Sequence, residues 1–179
     1  MNSLDFIFQR RSIRKFTDDA VEDEVLEQLL RAAMAAPSAM NTKPWRFIVV
    51  QEPDRLERLR GVMPFAKMKA AAAISVCADL RGPRNLVTGK FWQQDCSAAT
   101  QNLLLAATAL GLGAVWCGVA PMASLQKAVS GILELPAGVV PLNLVMLGYP
   151  AEEKPARTQY DPELVYLDSY GTPWKREIS

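Results

Sequence analysis

From Cys96 to Gln126 the chain runs for 31 residues without a charged side chain. A stretch of that length could cross a bilayer. Gly111, Gly113 and Pro121 interrupt it, however, and Thr100, Gln101, Asn102 and Thr108 are ill suited to lipid. The better division is a helix from about Trp92 to Leu110, a break at Gly111-Leu112-Gly113, and a short strand from Ala114 to Cys117. The helix is apolar nearly all round from Leu103 to Leu110, the pattern of a helix buried on every side. In 179 residues, packing against a second subunit is one way to achieve that.

The remaining pattern alternates helices with strands. Leu4, Ile7, Phe8 and Arg11 share a helical spacing after Ser3, a candidate cap. A second helix begins near Val21, with Glu22, Asp23 and Glu24 in its first turn, and Pro37 stops it. Pro44 holds Lys43 extended and launches a strand over Trp45–Val50. A helix near Pro53–Val62 follows, then a strand over Ile74–Cys77 entered from Ala70–Ala73. After the central helix and the Ala114 strand come a helix near Met122–Ser130 and a strand over Val139–Leu147, closed by Gly148-Tyr149-Pro150. Such interleaving indicates a mixed α/β architecture in one domain spanning 1–179. Beyond Pro150 the chain turns polar, then regains apolar character at Leu164, Val165, Tyr166 and Leu167. It is expected to be an arm that packs on something.

Composition removes several functional classes. Twenty Lys plus Arg balance nineteen Asp plus Glu, leaving no global field to recruit nucleic acid or an anionic membrane. The absence of histidine excludes Ser-His-Asp and Cys-His nucleophiles, histidine-based zinc sites and imidazole acid–base work. Cys77, Cys96 and Cys117 form no C-x-x-C and sit among apolar neighbours, which reads as buried free thiols in a reducing compartment. The first residues lack the order of a signal peptide, so the expected location is the cytoplasm. No metal pattern is present. Asp79, Asp95 and Glu134 lie near apolar segments with no evident pairing, so solvated or capping roles are expected, Asp95 near the start of the long helix. With no catalytic side chain in view, an organic cofactor is the expected source of reactivity.

Two clusters could bind one. Arg10, Arg11, Arg14 and Lys15 surround Ser12, either offsetting the carbonyl end of the first helix or forming a forked patch for a phosphate monoester. Lys154 and Arg157 would complete that patch only if the fold brings them to it. The Pro37–Pro44 loop is either a plain connection or a platform on which Ser38 and Asn41 meet the polar edge of a planar heterocycle. Gly111-Leu112-Gly113 is no dinucleotide fingerprint, because it follows a helix and opens a strand. Gly113 to Gly118 has a P-loop's gap but lacks its Lys-Ser/Thr ending.

Three segments together resemble the nitroreductase family of FMN-dependent oxidoreductases: Arg10 to Phe16, Ala36 to Phe47, and Asp95 to Ala107 continuing as Leu110 to Gly118. Gly148-Tyr149-Pro150 followed by Lys154-Pro155-Ala156-Arg157 resembles that family's ending. Order and spacing agree over nearly the whole chain. The resemblance implies an α+β fold, a central mainly antiparallel sheet flanked by helices, with the long helix at a homodimer interface. It implies that the arm, about 151–179, lies on the partner subunit and that two FMN sites are each built from both chains. Arg10, Arg11, Ser12 and Arg14 would hold the FMN phosphate and ribityl region, joined by Arg157 and Lys154. Pro37, Ser38, Ala39 and Asn41 would approach the isoalloxazine from the partner, and Trp116, Cys117 and Gly118 would border it.

The activity so implied is ping-pong electron transfer from NAD(P)H, through flavin N5, to a nitroaromatic, quinone or similar small acceptor, with Arg14 the candidate cation near N1 and O2. Catalytic side chains are none and metals none. Alternatives are an FMN-binding protein without turnover, and a flavoenzyme of this fold acting on enones, halogenated phenols or free flavin. Lys43 departs from the family, which often has an uncharged amide there. The stretch from Asp79 to Trp92 is short where larger members carry substrate-covering helices. Phe65, Phe91 and Trp92 are candidates for pocket lining, with core packing the alternative.

Overall fold

A computed structural model describes residues 4–82 and 85–174. Its centre is a four-stranded sheet formed by β1 (Trp45–Val50), β2 (Ala72–Asp79), β3 (Gly113–Gly118) and β4 (Val139–Gly148). The order is β1-β2-β4-β3 and every neighbouring pair is antiparallel. The helices are α1 (Asp5–Gln9), α2 (Asp23–Met34), α3 (Pro53–Val62), α4 (Asn85–Ala109) and α5 (Ala123–Ile132).

Successive side chains of a strand point to opposite faces, so a sheet covered on both sides is built from continuous apolar runs. In β4, Val145 and Leu147 join one core with Leu26, Leu29 and Ala33 of α2 and Cys96, Ala99, Leu103 and Ala107 of α4. Leu144 and Met146 join the other, with Leu56 and Leu59 of α3 and Val129 and Ile132 of α5. A proline in a central strand is tolerated at an irregularity. Pro141 sits at one: β2–β4 pairing shifts between Val76 and Cys77, and the Leu142 carbonyl accepts from Val119 and Ala120 instead (3.0 and 2.9 Å).

The long helix begins at Asn85, well before the expected Trp92. Asp95 is therefore mid-helix, and a first-turn role near the helix dipole is corrected. The expectation that Leu103–Leu110 is buried all round holds for Leu103, Leu104 and Ala107, whereas Leu110 is exposed within the single chain. The three cysteines are free and buried, as expected. The proposed Ser3 cap lies outside the described residues. Leu164, Tyr166, Leu167 and Trp174 of the arm are exposed, and Tyr166 packs with Tyr170 of its own segment (4.6 Å between centroids). Among the described residues no helix is long and apolar enough to cross a membrane.

Candidate active site

The basic stretch after α1 is strung along the free edge of β3. Ser12 pairs in parallel with Ala114, and the Ile13 N–H donates to the Ala114 carbonyl at 3.1 Å. Gly113 permits this approach: a Cβ there would lie 2.7 Å from Ile13 Cγ2. Further on, Phe16 pairs with Pro150, Thr17 donates to the Tyr149 carbonyl (2.9 Å) and Ala151 to that of Lys15 (2.9 Å).

That second ladder brings the distant basic patch to the first. The Lys154 ammonium donates to the Ser12 carbonyl (2.6 Å), the Arg11 guanidinium to the Pro155 carbonyl, and the Arg157 N–H to the Phe8 carbonyl (3.0 Å). Glu152 knots the two segments: its carboxylate accepts from the Arg14 and Lys15 amides (2.6 and 3.2 Å) and pairs with Lys154 (3.1 Å). The Arg14 amide holds that carboxyl below its ordinary range, with Lys154 acting the same way. Among the described residues no carboxylate pairs with the guanidinium of Arg10, Arg11, Arg14 or Arg157. The result is a pool of uncompensated positive charge.

Trp116 and Gly118 lie next to this patch on one face of β3. Trp116 is partly exposed, and a Cβ on Gly118 would meet nothing within 4 Å. Cys117 turns the other way, into the α3–α5 core, where its thiol donates to the Phe65 carbonyl (3.7 Å), so only its backbone borders the Trp116 side. Burial pushes the Cys77 and Cys117 thiols up to about 11 and Cys96 up to about 12, while nearby Arg14 opposes the shift at Cys117. An alkylating reagent at neutral pH is therefore expected to label none of the three in the folded protein and all three after denaturation. A raised thiol favours the folded state below the unfolded value of about 9 and loses that contribution as pH climbs toward 11 to 12. Stability measured by denaturation should accordingly fall across that alkaline window.

The Pro37–Asn41 loop is held elsewhere. The Ala39 N–H donates to Asp95 Oδ1 (2.9 Å), and the Lys43 N–H to Ser38 Oγ (3.0 Å). Met40, Asn41 and Lys43 all occupy left-handed backbone, at φ 49°, 54° and 48°, which overturns the expectation that Pro44 holds Lys43 extended: the Lys43 N–H bond to Ser38 sets its conformation instead. Asp95 is a residue that sequence reasoning placed wrongly. It is buried in an α4 stripe with Ala99, Leu103 and Ala107, and a carboxylate in that i, i+4 series was the available signal. Nor are the other two acids unpaired: Asp79 binds Arg81 (2.9 Å) and Arg46 (3.3 Å), and Glu134 binds Arg55 (3.1 Å). Phe65 and Phe91 are exposed, which removes the core-packing alternative for them, while Trp92 packs against the α2–α4 core.

The two clusters are not brought together within one chain. The basic patch lies at the start of β3, level with the end of β1, and the loop leads into the start of β1 on the opposite edge. Strand spacing and rise put these corners roughly 20 Å apart.

The sequence profile of the Nitroreductase family matches residues 7–90 and 66–149. The chain belongs to the nitroreductase family. It is 42% identical over 172 residues to a protein of Methanothermobacter thermautotrophicus provisionally named an NADH dehydrogenase/NAD(P)H nitroreductase, covering 95% of this chain and 88% of that one. A crystal structure from Parabacteroides distasonis, provisionally named likewise, superposes with a TM-score of 0.89 at 38% identity, covering 95% of this chain and 99% of the other. A provisional nitroreductase of Desulfovibrio desulfuricans, solved in complex with FMN, superposes at 0.80 with 33% identity, covering 95% and 98%. The antiparallel sheet flanked by helices is the nitroreductase fold expected from the motifs.

Proposed function

We propose that this nitroreductase-family chain is an FMN-dependent NAD(P)H oxidoreductase that acts as a homodimer on a nitroaromatic, quinone or similar small acceptor. The observation that carries this reading is the separation of the two clusters to opposite corners of the sheet. A site using both takes the basic patch from one copy and the Pro37–Asn41 loop from another. Exposed Ile7, Phe8, Met34 and Leu110, with the apolar residues of the arm, supply surface for such an association.

The donor set fits FMN. Guanidiniums without carboxylate partners, beside the Ser12 hydroxyl, match a phosphate monoester in charge and in geometry. Arg10, Arg11, Arg14 and Arg157 would neutralise the phosphate and neighbouring edge, while Lys154 fixes the Ser12 segment through its carbonyl. Trp116 and the open space at Gly118 would border the ring system, with the backbone of Cys117. Pro37, Ser38, Ala39 and Asn41 of the second copy would close its polar edge. Bound FMN supplies the two-electron hydride chemistry, and the protein's residues bind, orient and screen it.

Purified protein is expected to be yellow, with a flavin spectrum that bleaches under anaerobic NADH or NADPH and returns on adding an acceptor. Colourless protein that FMN cannot reconstitute would overturn the proposal. Colour retained with both donors would favour an FMN-binding protein without turnover. Light scattering should give twice the chain mass.

A further inference from the structure

A second cationic feature lies beside the Pro37–Pro44 loop and takes no part in the FMN assignment. It is a cavity of about 300 Å³ lined by Thr42, Lys43, Pro44, Arg46, Asp79, Gly82 and Thr88. Its charges are unequal. The Asp79 carboxylate is shared by two guanidiniums: Arg81 donates twice (Nε to Oδ1 and Nη2 to Oδ2, both 2.9 Å) and Arg46 lies at 3.3 Å. These contacts hold Asp79 well below the usual carboxylate range, Arg81 contributing most. The carboxylate therefore stays ionised, yet it offsets only one of the two guanidiniums. The Lys43 ammonium pairs with no carboxylate among the described residues, so the described charged residues that line the cavity, Lys43, Arg46 and Asp79, leave a net charge of +1, with Arg81 adding another just outside it.

The wall mixes polar and apolar surface, and none of the described residues that line it is aromatic. Thr42 Oγ1 is buried with no hydrogen-bond partner among the described residues. An orphaned buried hydroxyl is a donor that a ligand or water is needed to satisfy. Lys43 is set in left-handed backbone by its N–H bond to Ser38, so the loop carries this lysine at a strained position with no stabilising partner for its charge. A flat nitroaromatic or quinone would find no aromatic ring to stack on among these residues. Anionic phosphate oxygens would find two cations and a hydroxyl.

We propose that this cavity is the subsite for the phosphates of the dinucleotide electron donor, with Lys43 and Arg46 as its binding cations and Asp79–Arg81 as the brace that orients Arg46. The proposal rests on the function argued above, in which the same loop borders the flavin of the second copy. It places the donor's nicotinamide on the ring while its phosphates lie along the loop. The residue that departs from the family's usual amide, Lys43, then acquires a task in donor affinity rather than in chemistry.

The test compares two donors on the flavin-loaded protein: NADH or NADPH, and 1-benzyl-1,4-dihydronicotinamide, which carries the same reacting ring without phosphate. Lys43→Gln and Arg46→Gln remove one charge each from exposed side chains, and Asp79 keeps Arg81 in either variant. Each is expected to raise KM for the dinucleotide roughly three- to tenfold, with kcat, flavin content and KM for the benzyl donor unchanged. Inorganic pyrophosphate should compete with the dinucleotide and not with the benzyl donor. Raising ionic strength should increase the dinucleotide KM in the wild type and less so in the double variant.

An unchanged dinucleotide KM would overturn the subsite. So would an equal rise for both donors, because it would mean that the loop, and not a phosphate contact, had been disturbed. Competition by pyrophosphate that survives unchanged in the double variant would also overturn it by placing the anion elsewhere. A wild-type protein that binds FMN but oxidises neither donor would instead defeat the parent reading, and the subsite would fall with it.

Discussion

Leu103→Ala is expected to lower the free energy of unfolding by about 2–5 kcal/mol, the range for deleting a fully buried leucine. Leu103 is fully buried on α4, in the core that also holds Leu29 of α2 and Val145 of β4. The loss combines the transfer of the removed methyl groups with the cavity left between a helix and a sheet that both have other contacts to maintain. Neither wall can collapse freely, so the upper half of the range is expected. Denaturant titration at fixed protein concentration and saturating flavin measures it, since partner and ligand binding both add to apparent stability. A loss below about 1 kcal/mol, within the scatter of surface changes, would mean that α4 is not the packing element described. The same helix carries Asp95, so loosening it should also relax the loop that Asp95 holds.

Arg10→Ala is expected to weaken FMN binding by about 1.5–3 kcal/mol, or roughly 10- to 150-fold in Kd. No carboxylate of the described residues pairs with Arg10, so removing it orphans no buried charge in the protein. Its loss should register in the ligand and scarcely in the fold. Flavin titration and denaturation of the flavin-free variant separate the two. Equal FMN affinity in variant and wild type would remove Arg10 from the site, and a large loss of stability without flavin would recast it as a structural residue.

Local signals account for the elements that the sequence located well. Pro44 ahead of a β-branched run defines β1, and Pro53 at the first helical turn with Leu56 and Leu59 on one stripe defines α3. The start of α4 was hidden because Asn85 to Phe91 contains Thr88 and Gly89 and shows no amphipathic period. Its true beginning depends on tertiary placement. The same holds for the basic patch. Lys154 reaches Ser12 only because Phe16 pairs with Pro150 and β4 ends beside β3, a juxtaposition that no spacing announces. The family motifs supplied the grouping before any geometry could. Asp95 was legible as to type and missed as to partner: a carboxylate on a buried stripe signals a captured donor, but not that the donor is the Ala39 amide.

The three left-handed residues of the loop, Met40, Asn41 and Lys43, have a thermodynamic consequence. Each non-glycine residue in that region costs on the order of 1–3 kcal/mol and persists only where its surroundings over-determine it. Here the surroundings are one buried carboxylate on one side and a serine hydroxyl on the other. The unfavourable shape is thus set when the chain folds. A ligand arriving at this loop meets a surface already stripped of conformational freedom, and the ordering entropy that a slack loop would subtract from its affinity has been met in advance.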